Sequence, residues 1–307
     1  MSLKGFLEGG IAAVVAGCAT HPLDLIKVRM QLQGEALSQK PYEGLPKKPS
    51  SRMKAVQGAG VLGVGLEIVQ KEGPLGLFSG VSASALRHAV YSTTRLGLYE
   101  VLKQHMTDED GNLPVSKKIL AAMIAGAIGA AIGNPADVAM VRMQADGHLP
   151  PHMRRNYSSV ADAIIQILNT EGLSSLWRGS MPTIQRAMVV TAAQLASYDQ
   201  IKESLIASKV MDDGVTTHFA ASFLAGVVAS IVSNPIDVVK TRIQNMQTIP
   251  GLPPPYLGSL DCAWKTVQSE GFFALYKGFV PTVTRQGPFT ITMMMTLEQV
   301  RYILREF

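Results

Sequence analysis

The sequence predicts an all-α membrane protein: six transmembrane helices in three tandem two-helix repeats with pseudo-threefold symmetry. Three observations carry this prediction. One motif set recurs with a period near 100 residues, charge-free apolar runs approach the length of a bilayer crossing, and the chain is poor in charge. Of its 307 residues 47% are hydrophobic and 17% charged, against roughly 25% charged in an average soluble domain. The mean hydropathy is +0.18.

The period is set first by "HPLDLIKVRMQ" (His21 to Gln31), "NPADVAMVRMQ" (Asn134 to Gln144) and "NPIDVVKTRIQ" (Asn234 to Gln244). Each has a proline (Pro22, Pro135, Pro235), then an aspartate at +2, an arginine at +7 and a glutamine at +9. A second element follows: "EGPLGLFSG" from Glu72, "EGLSSLWRG" from Glu171 and "EGFFALYKG" from Glu270, each 99 residues after the last. A third, "YEVLK", "YDQIK" and "LEQVR", keeps the same phase, as do Arg87, Arg186 and Arg285. The chain is therefore a tandem triplication, divided at 1–110, 111–208 and 209–307. The first repeat differs mainly by the polar insertion "SQKPYEGLPKKPSSRMK".

Each repeat reads as two long helices joined through a short amphipathic one. Before each proline motif small residues recur every fourth position: Gly9, Ala13, Gly17; Ala122, Gly126, Ala130; Ser222, Gly226, Ser230. That spacing makes a face on which helix backbones approach closely. Between Lys118 and Asp137, and between His218 and Asp237, 18 residues pass without a charge. At about 1.5 Å per residue this nearly crosses a hydrocarbon layer of about 30 Å. The first repeat offers Gly9 to Leu23 in the same place. The second helices start near Val81, Ser180 and Phe279 and carry arginines, and the repeat argues that what holds for one holds for all. A soluble helical solenoid is the alternative, but it has no use for an arginine midway along an apolar helix.

An arginine deep in a membrane helix normally faces a water-filled interior or a partner. Under threefold packing Arg87, Arg186 and Arg285 converge at one depth, with no acid at equal phase, and predict an anionic solute held by guanidinium forks. Arg95, present in the first repeat alone, belongs to this site or its entrance. His88, Gln185 and Gln286 flank the arginines as candidates for specificity. The net charge of +5 suits such a solute.

Acid–base pairs three residues apart mark both ends of the helices. Asp24 with Lys27 and Asp237 with Lys240 stand at one end; Glu100 with Lys103, Asp199 with Lys202 and Glu298 with Arg301 stand at the other. A single local pair is worth only about 0.2–0.5 kcal/mol. In a closed ring, each acid reaches the base of another repeat and makes a three-way latch, and alternate opening of the two latches gives alternating access. The prolines are placed to kink the first helices. Gln31, Gln144 and Gln244 are placed to brace one latch.

Enzyme chemistry has no foothold. There is no phosphate loop in a strand-to-helix context, no HExxH and no G-x-S-x-G, and "GAGVLGVG" (Gly58 to Gly65) lacks the strands of a dinucleotide site. Only Cys18 and Cys262 are present, which excludes a disulfide framework and a cysteine zinc site. No metal, cofactor or nucleic acid is expected. The opening "MSLKGFLEGG" has neither a secretory signal nor an Arg-rich amphipath, so targeting information is expected to be internal.

The proline-x-Asp elements, with the Glu-Gly and basic-Gly elements after them, resemble the signature of the mitochondrial carrier family over essentially the whole chain. The resemblance implies a multi-pass solute carrier of the mitochondrial inner membrane, both termini toward the intermembrane space. It further implies short helices on the matrix side, cardiolipin at their ends and a functional monomer. "YSTTRLGLYE", with Arg186 and Arg285, is similar to the dicarboxylate, oxoglutarate and uncoupling-protein branch. "HPLDLIKVRMQLQGE" and the long first matrix segment are similar to plant mitochondrial dicarboxylate carriers, also called uncoupling-protein-like. The implied activity is antiport of malate, oxaloacetate or succinate for a dicarboxylate, phosphate or sulfate. The alternative is uncoupling-protein-like conductance of protons or fatty-acid anions.

The resemblance implies that Tyr99 and Tyr198 brace the latch at the other end, while Leu297 stands where the family has an aromatic. Met140 also departs from the pattern, standing where its sisters have Lys27 and Lys240. In the family's ring the acid of repeat one pairs with the base of repeat two. Asp24 is therefore expected to lose its partner, while Asp137–Lys240 and Asp237–Lys27 remain.

Overall fold

The computed structural model describes residues 3–35, 60–107, 114–149, 154–208, 214–247 and 254–305; the polar insertion of the first repeat lies outside them. Among the described residues there are ten α-helices. The first repeat contributes α1 (Leu3–Ala19), α2 (His21–Leu32), α3 (Val61–Glu72) and α4 (Val81–Met106). The second contributes α5 (Val115–Asp146), α6 (Val160–Glu171) and α7 (Ser180–Ala207); the third α8 (Val215–Asn245), α9 (Ser259–Glu270) and α10 (Phe279–Arg305).

The short helices follow from local chemistry. Asp162 N donates to the Ser159 side chain at 3.2 Å, capping α6, and the glycines of the three Glu-Gly pairs end α3, α6 and α9. Val64 and Ile68 of α3, and Ala163 and Ile167 of α6, turn inward, while Leu62, Ile165 and Trp264 stay exposed.

The long helices close a ring in the order α1, α4, α5, α7, α8, α10 and back to α1, and α2, α5 and α8 converge at the end that carries the proline motifs. Small residues permit the approach. A Cβ on Gly17 would meet the His88 ring at 2.6 Å, and one on Gly226 would meet Gln286 Oε1 at 2.6 Å.

The expectation of six transmembrane helices is not met. Among the described residues two helices, Ser116–Asp146 and Thr216–Asn245, are long and apolar enough to cross a membrane, or three if the bent pair Gly9–Ala19 and His21–Leu32 forms one span. Helices α4, α7 and α10 have the length, at 26, 28 and 27 residues. They lack the apolarity: Arg87, His88 and Arg95 interrupt α4, Gln185, Arg186 and Gln194 interrupt α7, and Arg285 and Gln286 interrupt α10. Repetition passes a helix from one repeat to the next without passing on its hydropathy.

The prolines act unequally. Pro22 sits in the first turn of α2 after a 62° break, where its missing N–H costs nothing. Pro135 and Pro235 lie inside α5 and α8, which run on through them.

Candidate anion-binding site

Where α2, α5 and α8 meet, three aspartates and five basic groups form one cluster. Lys240 Nζ donates to Asp137 Oδ2 at 2.8 Å, and Arg87 Nε pairs with Asp137 Oδ1. Lys27 Nζ donates to Asp237 Oδ2 at 2.7 Å, and Arg186 Nε pairs with Asp237 Oδ1. Arg285 Nη1 lies 2.9 Å from Asp24 Oδ1, and its Nε donates to Thr20 Oγ1 at 3.3 Å. The three arginines lie in one cluster and have counter-ions: each holds the proline-motif aspartate of the next repeat around the ring. Asp24, expected to stand without a partner, takes Arg285 instead.

The arginines keep access to solvent, with side chains 23%, 33% and 24% exposed for Arg87, Arg186 and Arg285, against 6%, 4% and 14% for Asp137, Asp237 and Asp24. Five cations against three carboxylates leave a net charge of +2 in the cluster. The carboxylates are satisfied from within, and each guanidinium has more N–H donors than these pairs use.

The flanking candidates diverge. His88 stacks on Phe289 at 6.1 Å between ring centres. Gln286 Nε2 donates to Ser230 Oγ at 2.7 Å, and Gln185 is exposed. Arg95 is exposed, its guanidinium 6.0 Å from the Tyr91 ring. Phe289, unremarkable in the sequence, is a shelf for Arg285, whose guanidinium lies 5.0 Å from the ring centre.

The glutamines brace the helix ends rather than the aspartate–lysine pairs. Thr241 Oγ1 donates to Gln31 Oε1 at 2.8 Å, and Gln244 Nε2 donates to Asn134 Oδ1 at 3.3 Å. Gln144, Gln244 and Gln31 lie against Gly80, Gly179 and Gly278. At the opposite rim Asp199, Glu298, Lys103 and Arg301 are exposed, while Glu100, Lys202 and Tyr99 are half-buried. Tyr198 Oη lies 2.6 Å from His218 Nδ1, joining α7 to α8.

A second ring was present in the motifs without an assigned role. The arginine at +7 of each motif grips the glutamate of its own repeat's Glu-Gly pair: Arg29 Nη2 to Glu72 at 2.7 Å, Arg142 Nη1 to Glu171 at 2.5 Å, Arg242 Nη1 to Glu270 at 2.6 Å. Each also donates Nε to a carbonyl of another repeat: Gln144, Gln244 and Gln31, at 3.2, 3.1 and 3.3 Å. Burial pushes the Glu171 and Glu270 carboxyls up, yet the bonds from Arg142 and Arg178, and from Arg242 and Lys277, hold both below the usual range.

The family model described as "Mitochondrial carrier protein" matches residues 2–110, 111–209 and 212–307. The chain belongs to the mitochondrial carrier family. Membership makes it a transporter rather than a catalyst, and among the described residues no cluster of His, Cys, Asp and Glu could hold a metal ion. Its relatives include uncoupling proteins and 2-oxoglutarate/malate carriers. It is 57% identical to mitochondrial uncoupling protein 5 of Arabidopsis thaliana, over all of this chain and 99% of the relative. It is 58% identical to mitochondrial uncoupling protein 4 of the same plant, over the full length of both. It is 45% identical to the human mitochondrial 2-oxoglutarate/malate carrier protein, over 96% of this chain and 89% of the relative.

Proposed function

We propose that this carrier exchanges small dicarboxylates such as malate, oxaloacetate or succinate for another dicarboxylate, phosphate or sulfate, by alternating access. The net +2 of the arginine–aspartate–lysine cluster carries the reading: one bound dianion brings it to neutrality, and guanidinium edges match carboxylate oxygens in pairs. Kinship with 2-oxoglutarate/malate carriers agrees with this substrate class. The proline-motif end faces the matrix and both termini face the intermembrane space. Exposed Leu62, Ile165 and Trp264 give the short helices an apolar surface suited to lipid, with cardiolipin at their ends, and the unit that works is the monomer.

A second reading is conductance of protons or fatty-acid anions, and the names of the relatives favour it more strongly. Three relatives above 50% identity are named uncoupling proteins, while oxoglutarate/malate carriers stand at 44–46%. Liposomes carrying the purified protein separate the two. Uptake of malate that requires internal phosphate or malate supports exchange; proton flux without any countersubstrate, and no such uptake, supports conductance.

A further inference from the structure

Asp137 and Asp237 each hold a lysine as well as an arginine, but the cation that Asp24 holds belongs to the arginine trio itself. The cause is Met140. Its side chain packs with Val28, Leu32, Val141 and Ala145, so α5 offers no base toward Asp24. The seams around the proline-motif end differ accordingly. Lys27–Asp237 ties α2 to α8 and Lys240–Asp137 ties α8 to α5. The α2–α5 seam is closed by that apolar cluster and by Arg29 Nε on the Gln144 carbonyl. An anion that takes the guanidinium of Arg87 or Arg186 leaves Asp137 or Asp237 its lysine. An anion that takes Arg285 leaves Asp24 a bare carboxylate, which draws water to itself.

We propose that Arg285 couples anion binding to opening at one place: seating an anion on Arg285 strips Asp24 of its cation, and the α2–α5 seam opens first. This rests on the reading of the arginine trio as an anion site. Opening is then sequential around the ring rather than concerted, and Met140 sets which seam leads. Arg285 is a positioning residue for Asp24 as well as a ligand of the anion.

The test uses two cysteine pairs in the full-length protein with Cys18→Ser and Cys262→Ser. Val28→Cys with Val141→Cys reports the α2–α5 seam, and Gln31→Cys with Thr241→Cys reports the α2–α8 seam. Disulfide formation is timed in liposomes with and without malate, alongside malate–malate exchange. Malate is expected to slow the first pair about five-fold more than the second, the scale of one partly exposed ion pair. Met140→Lys and Asp24→Asn should each erase that difference. Without any anion, Arg285→Gln should slow the first pair to the same degree while the second pair keeps its rate, which also shows that the variant is folded. Equal slowing of both pairs by malate with exchange intact, or a first pair indifferent to Arg285→Gln, overturns the inference. Absent exchange with a first pair that still responds to Arg285→Gln overturns the dicarboxylate reading alone.

Discussion

Asn245 donates a hydrogen bond to Glu35, Nδ2 to Oε2 at 3.0 Å, across the seam between the third repeat and the first. Arg155, from the second repeat, donates to Asn245 Oδ1 at 3.3 Å and to its carbonyl at 3.0 Å. One asparagine thus joins all three repeats, and no counterpart exists elsewhere in the ring, because Leu32 and Ala145 occupy its phase.

Glu35 makes this junction sensitive to pH. Burial pushes its carboxyl up to about 7; Arg242, Asn245 and Arg155 pull it down, and Glu270 pushes it up. Cys262 lies near it as well. The folded value lies above the ordinary one, so the protonated carboxyl is the form the junction prefers. Its contribution is complete below about pH 4.5 and is lost as pH rises toward 7, by up to about 3 kcal/mol. Between pH 5 and 8 the unfolding temperature in detergent should therefore fall relative to that of a variant without this carboxyl. Glu35→Gln, which mimics the protonated form, should flatten that slope and raise the midpoint at pH 8. Parallel slopes for variant and parent would sink the assignment.

Arg142 has a side chain 1% exposed and spends its donors on Glu171, the Gln244 carbonyl and the Met246 carbonyl. Glu171→Gln should cost about 3–5 kcal/mol, since it leaves a buried guanidinium undercompensated. Lys71 pairs with Glu67 at 56% exposure, and Lys71→Ala should cost less than about 1 kcal/mol. Thermal unfolding of the two variants side by side checks the contrast; comparable losses would mean that burial does not set the value of these pairs.

The difference between those pairs explains what could be read from the sequence. The triplication, the helix order and the convergence of Arg87, Arg186 and Arg285 follow from phase alone, because equivalent residues in a ring fall at one depth. Phase says nothing about partners. Arg142 and Glu171 are both repeated in every unit, yet nothing along the chain says that the arginine folds back on a glutamate 29 residues away. The pairing of Asp24 with Arg285 was hidden for the opposite reason: it replaces a lysine that is missing, and a missing residue does not name its substitute. The six-span expectation failed because hydropathy was carried from α5 and α8 to helices that the arginines make too polar.

Gly179 illustrates a constraint of backbone and packing together. Its φ is +79°, and a Cβ there would meet Gln244 Cγ at 2.7 Å. Gly179→Ala should cost about 1–3 kcal/mol from the left-handed backbone, with a steric cost added. Gln244→Ala in the same chain should return only the steric part, which a four-member unfolding cycle measures. Full rescue by Gln244→Ala would place the whole cost in packing and none in the backbone.

Charge balance at the centre gives the last expectation. Lys240→Gln leaves Asp137 held by Arg87 alone, the situation that Met140 already creates at Asp24, and lowers the net charge of the cluster from +2 to +1. A dianion then crosses with one uncompensated negative charge. Moving one charge through 100 mV involves about 2.3 kcal/mol, so a potassium diffusion potential of that size should change malate uptake by the variant several-fold. Uptake by the parent should be nearly indifferent to the potential, because one dianion neutralises its site. Loss of Lys240 also loosens the α5–α8 seam, which alters rate at every potential but gives no reason for the rate to depend on potential. A Lys240→Gln protein that exchanges malate with no response to voltage would show that net charge does not set what the site carries.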